Sequence, residues 1–525
     1  MTDTGACAPS EPVAPGNVCA VRGPVGFDNE KYLAEQTGAI LDRLEQFDNK
    51  LYLEFGGKLL FDYHAARVLP GFDPNVKVRL LRALKDRADI ILCIFAGDIE
   101  RRKLRADFGI TYDVDAMKLI DDLRDWGLEI TAVVITRFAD QPAAVTFKSR
   151  LERFGIPVYT HRATPGYPMD VDRIVSDNGY GANPYIATTS PLVVVTGPGP
   201  GSGKLATCLS QLYHDHRRGT RSGYAKFETF PIWNVPLKHP VNVAYEAATA
   251  DLGDVNLIDP FHLEAYGDTA VNYNRDVEAF PVLRRVLARI MGDVHLYQSP
   301  TDMGVNRAGF AISDDAVCRE AARQEVIRRY LRARCEQAMG FAAEETVERT
   351  KLFVDELDLQ LTERRVVGPA REAAEDARRG GKGNKGMFCG AAIELADRTI
   401  VTGRNSPLMH AASSLVLNAI KHLAGIPDEI HLLAPSVLES ITGMKKNVLA
   451  SKSASLDLEE ALIALSVSAS TNPTSQIVMD KLADLRGCEV HLTHIPRSGD
   501  ETGLRRLGVN LTTDPAYVMR DLCQT

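Results

Sequence analysis

The stretch "PLVVVTGPGPGSGKLATC", residues 191–208, decides the fold of the first half of the chain. Its β-branched run predicts a buried strand, the glycines and prolines predict a loop, and Lys204 opens a predicted helix. Loop N–H groups and the positive end of a helix dipole bind phosphate oxygens, and a lysine adds a point charge. The predicted phosphate-binding residues are Gly197, Gly199, Gly201, Ser202, Gly203, Lys204 and Thr207.

Two positions depart from the phosphate-loop pattern G-x-x-x-x-G-K-[ST]. Pro198 stands where the first glycine belongs, and Leu205 replaces the hydroxyl residue that normally holds Mg²⁺. Thr207 follows two residues later, on a different face of the helix. Three interpretations stay open: a nucleotide or phosphate site, a site for another anion, and a turn required only for close packing. If Mg²⁺ is used, its protein ligand must come from elsewhere.

The flanking sequence alternates short apolar runs with segments of helical period. "LYLEF", "DIILCIF" and "TAVVIT" are strand candidates, and the helices between them end at glycines such as Gly127 and Gly155. Continuous apolar strands are typical of a parallel sheet covered by helices on both faces. We therefore predict a flexible leader over 1–26, rich in Pro, Gly and Ala, and an α/β domain over 27–310.

The rest of the chain changes character twice. Residues 311–384 show helical periodicity throughout, which predicts a helical region that packs on the sheet or on another subunit. Residues 385–525 return to an α/β pattern, with "EIHLLAP" and "CEVHLTH" as strand candidates. We expect a homo-oligomer formed through the helical region.

Composition bounds the partners and the compartment. Apolar residues make up 45% and charged residues 25%, as in globular proteins, and the net charge is −8. An acidic chain argues against a nucleic-acid or anionic-membrane partner, and no apolar run is long enough to span a membrane. The nine cysteines are scattered without a paired motif, which fits reduced thiols in the cytoplasm.

Polar segments downstream of the glycine loop supply candidate catalytic residues. Alternation along "GYAKFE" places Lys226 and Glu228 on one face of a strand. Lys226 and Arg275 are predicted to stabilise transferred charge, and Asp302 is predicted to hold Mg²⁺ or to act as the base, with Asp254 and Asp259 as alternatives. An Asp in a loop is most often a turn or cap residue, so the group carries more weight than any member.

Residues 389–441 resemble the core of the cytidine-deaminase fold. In that family a hairpin ends in G-x-N, a helix carries H-[AC]-E, and a following strand enters P-C-x-x-C. The chain has "GRN" at 403–405 and His410, but Ala412 occupies the catalytic Glu position. The two cysteine positions are Ser436 and Glu439. Zinc needs three good ligands and the Glu moves protons, so we expect a deaminase-like scaffold without zinc.

Four long segments together resemble one bacterial family, known as domain of unknown function 1846. They are "FDNKLYLEFGGKLLFDYHAARVLPGF", "VVVTGPGPGSGKLATCLSQLYHDHRRG", "YAKFETFPIWNVPLKHPVNVAYEAATADL" and "LMHAASSLVLNAIKHLAGI". The resemblance extends from about residue 27 to the end of the chain. It implies a bacterial protein of about this size, and it brings no catalytic residues with it.

Three functional hypotheses remain. The first is an enzyme that uses a nucleoside phosphate at 197–204 for phosphoryl or other ATP-dependent transfer. The second is an ATP-independent enzyme whose substrate carries its own phosphate, which the missing Mg²⁺ hydroxyl favours. The third is a nucleotide-sensing or scaffold protein without turnover.

Overall fold

The structure, a computed structural model, describes residues 23–105, 110–293, 296–451 and 453–518. The predicted leader lies almost entirely outside these residues. The described chain forms two compact units. The first unit comprises Val25–Glu246 and Asp254–Arg319, and the second comprises Ala247–Gly253 and residues 320–518.

The first unit is built on a parallel sheet. The strands described in it are β1 (Leu51–Phe55), β2 (Ala88–Phe95), β3 (Leu104–Arg105), β4 (Ile110–Thr111), β5 (Ala132–Thr136), β6 (Val158–Thr160), β7 (Leu192–Thr196), β8 (Gly223–Phe227), β9 (Asn256–Ile258) and β10 (Val271–Tyr273). Six of them form one sheet in the order β6-β5-β2-β7-β1-β8, and every neighbouring pair in it is parallel. β3–β4 and β9–β10 form two small antiparallel ribbons.

Helices flank this sheet. They are α1 (Asn29–Glu45), α2 (Tyr63–Val68), α3 (Val76–Ala83), α4 (Ala96–Glu100), α5 (Tyr112–Asp125), α6 (Pro142–Arg153), α7 (Val171–Ile174), α8 (Lys204–Arg217), α9 (Pro240–Ala248), α10 (Pro260–Tyr266) and α11 (Asn274–Met291). Every residue of β1, β5 and β7 is buried, as a sheet covered on both faces requires. The predicted parallel, helix-covered sheet is therefore confirmed.

The strand order creates a crevice at one edge of the sheet. The chain passes from β1 to β2, moves outward through β5 and β6, and returns to insert β7 between β2 and β1. Ligands of open α/β sheets bind outside the carboxyl ends of the strands where the order reverses. The loop after β7 leaves the sheet at that point.

The second unit contains a mixed four-stranded sheet. Its elements are α12 (Asp315–Ala338), α13 (Glu344–Glu356), α14 (Val367–Arg379), β11 (Gly390–Glu394), β12 (Ile400–Arg404), α15 (Ala411–Ala424), α16 (Pro435–Asn447), α17 (Leu458–Ala469), α18 (Pro473–Met479), β13 (Glu489–Leu492), α19 (Ser498–Arg506) and β14 (Asn510–Thr513). The order is β12-β11-β13-β14; β11 is antiparallel to both neighbours, and β13 and β14 are parallel.

Side-chain alternation along β11 gives this sheet helices on both faces. Ala392 packs with Ala370 of α14, whereas Ala391 and Ile393 join the core that contains Leu415 of α15. The contact with α14 is close, because a Cβ added to Gly390 would lie 2.0 Å from the Ala370 carbonyl oxygen. A glycine is therefore required at the start of β11.

One predicted strand is wrong, and the helical region is present as helices. "EIHLLAP" forms turns and bends that lead into α16, because β12 and β13 occupy both edges of β11 and residues 428–431 are exposed. The helices predicted over 311–384 are α12, α13 and α14, and from Glu320 on they belong to the second unit. Within the described residues no helix is both long and apolar enough to cross a bilayer.

Candidate functional site

The glycine loop joins the carboxyl end of β7 to the amino end of α8. The predicted helix start is confirmed, because α8 begins at Lys204. Gly201 and Gly203 have φ values of 72° and 91°, in the left-handed region that favours glycine. A Cβ at Gly203 would also lie 2.7 Å from the Thr136 side chain. The loop therefore turns over β5 in a conformation that other residues adopt only with strain.

Three backbone carbonyl groups of the loop accept hydrogen bonds from side chains of the chain itself. The Thr136 hydroxyl donates to the Ser202 carbonyl at 2.7 Å, and Arg137 donates to the Gly201 carbonyl. Lys204 Nζ donates to the Gly199 carbonyl at 3.5 Å. Within the described chain, the N–H groups of Gly199, Gly201, Ser202 and Gly203 donate no backbone hydrogen bond outside regular structure. Such unpaired donors at a helix start are available to an anion.

Ser202 adds an unsatisfied hydroxyl to the loop. Its side chain is buried and its Oγ has no hydrogen-bond partner within the described residues. A Cβ added to Gly197 would lie 2.5 Å from this Oγ and 2.5 Å from the Cys93 carbonyl oxygen, so the hydroxyl sits directly beneath Gly197. A buried hydroxyl without a partner costs stability unless a ligand satisfies it.

Thr207 does not face the loop. It is completely buried, and its hydroxyl accepts a hydrogen bond from the Cys93 thiol of β2 at 3.4 Å. Burial raises the pKa of Cys93 to about 12, so the donor is a neutral thiol. The predicted phosphate contact of Thr207 stays untested, and this geometry does not favour it, because the side chain points at the sheet.

A second glycine loop, after β1, lies against the first. Gly57 and Lys58 line a small cavity of about 40 Å³ together with Gly197 and Pro198. This second loop carries the sequence "FGGK" at 55–58, and the structure brings both loops to one place. Since β1 lies between β7 and β8, this loop also separates the glycine loop from the end of β8.

A larger cavity of about 200 Å³ opens at the carboxyl end of β8. Its lining is mostly polar and charged, with one indole. The lining residues are Arg43, Lys226, Glu228, Pro231, Trp233, His262, Val271, Asn272, Asp276, Pro300, Thr301, Asp302, Gly304, Asn306 and Arg307. Two strand spacings, roughly 10 Å, separate the ends of β7 and β8.

Lys226 and Glu228 lie on one side of β8 as predicted, within an ion network. Lys226 Nζ is 2.5 Å from an oxygen of Asp276 and 3.3 Å from an oxygen of Glu228. The Tyr273 hydroxyl, which also contacts Lys226, donates to Glu228 at 3.0 Å. Burial lowers the pKa of Lys226, but Asp276 and Glu228 outweigh it and raise the pKa overall, so Lys226 is a fixed cation.

Glu228 is the carboxyl group of this cavity whose pKa is shifted toward neutrality. Burial, with Asp276 and Glu54 close by, raises its pKa to about 7, although Lys226 opposes the shift. Its side chain packs on the loop after β1, because a Cβ at Gly56 would lie 2.3 Å from it. A buried carboxyl that is partly protonated at neutral pH is suited to proton transfer. Alternation along the strand predicted that Glu228 lies beside Lys226. The raised pKa of Glu228 could not be predicted, because it depends on burial and on Asp276 and Glu54, which are distant in sequence.

Of the other predicted catalytic residues, one lines this cavity and three do not. Asp302 lines the cavity, and its carboxylate accepts the Gln298 N–H at 3.1 Å. Arg275 lies outside the lining and is paired with buried Asp254, with Nε 2.6 Å from Oδ1. Asp259 caps α10 through two backbone N–H groups. Arg275, Asp254 and Asp259 therefore have structural partners, and their catalytic assignments stay untested predictions.

Two basic residues escaped the sequence analysis. Arg137 follows β5 directly and reaches the glycine loop, and its guanidinium lies 3.4 Å from the centre of the Phe95 ring. Arg307 lines the cavity at the end of β8. A signal existed for Arg137, because it follows an apolar strand at the edge where ligands bind. Arg307 sits in an irregular segment whose path no periodicity predicts.

In the second unit, His410 forms the N-cap of α15 and pairs with Asp500, with Nδ1 2.7 Å from Oδ2. Asp500 is buried and also accepts the Leu458 N–H at 2.9 Å. Among the residues that the structure describes, no cluster of three or more His, Cys, Asp or Glu side chains is placed to hold a metal ion. Ala412 is buried at the start of α15.

Comparison with known proteins gives a consistent ancestry. Two family models, "Domain of unknown function DUF1846, N-terminal" and its C-terminal counterpart, match residues 25–358 and 362–523. A "UPF0371 protein" of Clostridium botulinum (strain Langeland) is 58% identical over 499 residues, which cover 95% of this chain and 99% of the relative. A "UPF0371 protein" of Clostridium tetani is 56% identical over 498 residues, with the same shares covered. The chain therefore belongs to the DUF1846 family.

Proposed function

We propose that the chain is an enzyme that holds the phosphate group of a small phosphorylated molecule at residues 197–204. One observation carries the proposal: within the described residues, four backbone N–H groups of the loop and the Ser202 hydroxyl have no hydrogen-bond partner, and they lie directly before the 14-residue helix α8. Lys204 and Arg137 place positive charge on the same loop. An anion would satisfy donors that the chain itself leaves open.

A phosphate of the substrate itself fits better than a magnesium nucleotide. Leu205 has no hydroxyl and Thr207 is turned into the core, so neither position offers the hydroxyl ligand that normally holds the Mg²⁺ of a nucleotide. Lys204 at the helix start is the feature that favours the nucleotide alternative, in which ATP-dependent phosphoryl transfer would need a Mg²⁺ ligand from another segment. The third alternative, a sensor or scaffold, binds the same anion without turnover.

Thermal unfolding with added ligands separates the phosphate proposal from the nucleotide alternative. Inorganic phosphate, ribose 5-phosphate and ATP are each added with and without Mg²⁺, to the chain itself and to K204M and K148M. Lys148 is a lysine on the outer helix α6 and serves as the control. Stabilisation by phosphate and ribose 5-phosphate without Mg²⁺, lost only in K204M, supports the proposal. Stabilisation by ATP only with Mg²⁺ supports the nucleotide alternative, and no shift with any ligand contradicts both.

We also propose that the second unit shares the cytidine-deaminase scaffold without its zinc chemistry. Support comes from the hairpin β11–β12, which ends before Asn405, and from His410 at the start of the next helix. The residues do not fit zinc, since the cysteine positions are Ser436 and Glu439 and His410 is already bound to Asp500. Stoichiometric zinc in metal analysis of the purified protein would contradict this.

The remaining expectations concern partners and compartment. We propose a cytoplasmic homo-oligomer that contacts neither nucleic acid nor membrane. The helical region offers support for assembly, because Phe341 and Leu352 are 81% and 64% exposed there.

A further inference from the structure

One arginine in the cavity at the end of β8 has no carboxylate partner within the described residues. Arg307 lines it, and within the described residues its guanidinium makes no hydrogen bond and no ion pair. Its guanidinium carbon lies 5.3 Å from the centre of the Phe310 ring, which is a weak contact. Arginine is the side chain best suited to hold a carboxylate or phosphate through paired N–H groups.

The other cations of the cavity are already engaged. Lys226 is held between Asp276 and Glu228. Arg43 donates to the Asp302 carbonyl at 2.7 Å, and its guanidinium carbon lies 5.9 Å from the Tyr297 ring centre. Arg307 is therefore the lining arginine or lysine whose charged group makes neither a hydrogen bond nor an ion pair among the described residues, and an anionic ligand would supply its counter-charge.

The walls around Arg307 are fixed by their own hydrogen bonds. The Trp233 indole donates to the Asn306 carbonyl at 2.9 Å, and the Asn306 side chain accepts the Glu228 N–H at 2.7 Å. Asn272 donates to the Thr301 hydroxyl at 3.3 Å. A site whose walls are held in this way binds a ligand with little loss of side-chain freedom. Asn306 thus holds the backbone of Glu228 and directly precedes Arg307 in the chain.

We propose that this cavity binds a small organic anion, a carboxylate or phosphate ester of roughly ten non-hydrogen atoms, with its charged group on Arg307 and with uptake of a proton by Glu228. This is a second site, and it does not rest on phosphate binding at the glycine loop.

Proton uptake follows from the charges around Glu228. An anion brought into the cavity adds repulsion to the ionised form of Glu228, whose pKa of about 7 then rises further. The affinity is therefore expected to fall as the pH rises above 7, because the proton must be supplied from solvent. The charged or titratable groups that face Glu228 are Lys226 on β8, Glu54 on β1, Asp276 on α11, Tyr273 before α11 and Tyr245 on α9.

Calorimetric titration tests the proposal. DL-malate, L-lactate, glycerol 3-phosphate and neutral glycerol are titrated at pH 7 in imidazole and in Tris, whose ionisation enthalpies differ. We expect binding of at least one anion, no binding of glycerol, and uptake of a fraction of a proton. R307Q should weaken binding at least tenfold, whereas R285Q, which removes an exposed arginine of α11, should not. E228Q should still bind, without proton uptake and without the pH dependence.

Several outcomes would overturn the inference. The first is an equal affinity of R307Q and the unaltered chain for the anion. The second is proton uptake that persists in E228Q, and the third is that none of the three anions binds. The loop variant S202A separates this proposal from the proposed function. If S202A abolishes binding of these anions while R307Q leaves it intact, the anions bind at the glycine loop and the cavity site is wrong. If S202A loses only inorganic phosphate, the two sites are distinct, as proposed.

Discussion

Replacement of Ser202 by alanine should stabilise the free protein and weaken its ligand at the same time. The buried Ser202 Oγ has no partner within the described residues. A buried hydroxyl without a hydrogen bond costs about 1–3 kcal/mol, and alanine removes that cost. Because the unfolding entropy grows with chain length, the unfolding midpoint of this 525-residue chain should shift upward by about 1 °C for each kcal/mol.

The effect on binding has the opposite sign. If Ser202 donates to a bound phosphate, its loss removes a hydrogen bond to a charged group, worth about 1.5–3 kcal/mol. This corresponds to roughly tenfold or greater weakening of the affinity for inorganic phosphate. A residue with a purely structural role would not give higher stability together with weaker binding.

Ser222 provides a matched control. It too is buried with an Oγ that has no partner within the described chain, but it lies at the amino end of β8, the opposite edge of the sheet. S222A should raise stability by a similar amount and leave phosphate affinity unchanged. Urea unfolding measures the first quantity and calorimetric titration with inorganic phosphate the second. Destabilisation by S202A, or equal phosphate affinity in both variants, would refute the reasoning.

Three further predictions follow from other features. G203A should destabilise the protein more than G219A. Both glycines have left-handed φ, but only a Cβ at Gly203 would meet another side chain, at 2.7 Å. Urea unfolding measures the two losses of unfolding free energy, and equal losses would contradict a closely packed loop. Burial lowers the pKa of His161 and of His494 to about 4, so the stability each neutral ring contributes, about 3 kcal/mol, is complete above pH 6.5 and is lost as the pH falls toward 4. Unfolding midpoints of H161N and H494N across this window should depend less on pH, and unchanged slopes would disprove the assignment. F341S should lower the assembly state seen by light scattering if the helical region forms the oligomer, and an unchanged mass would argue against it.

Sequence predicted the first sheet well for a physical reason. Strands such as β5 and β7 are buried along their whole length, and a short continuous apolar run is the pattern that such strands produce. The loop was predictable because Gly201 and Gly203 need left-handed φ between a strand and a helix. Alternation placed Lys226 beside Glu228 for the same kind of local reason.

What the sequence could not supply depends on contacts between segments distant in sequence. "EIHLLAP" has strand composition, but both edges of β11 are taken, so the segment has no partner there. Whether Thr207 faces the loop or the sheet is set by the rotation of α8, and Cys93 fixes that rotation. Arg307 was not singled out because the lack of an ion pair at its guanidinium, within the described residues, is a property of the folded chain that no local pattern records.

The central claim is that backbone N–H groups of the glycine loop bind phosphate. The direct measurement is an amide spectrum of protein labelled with ¹⁵N-glycine, recorded during titration with inorganic phosphate and assigned through glycine variants. If the loop binds phosphate, the amide resonances of Gly199, Gly201 and Gly203 should move together and saturate. The resonance of Gly219, at the far end of α8, should stay in place. Saturating phosphate that leaves these three resonances unchanged would contradict it.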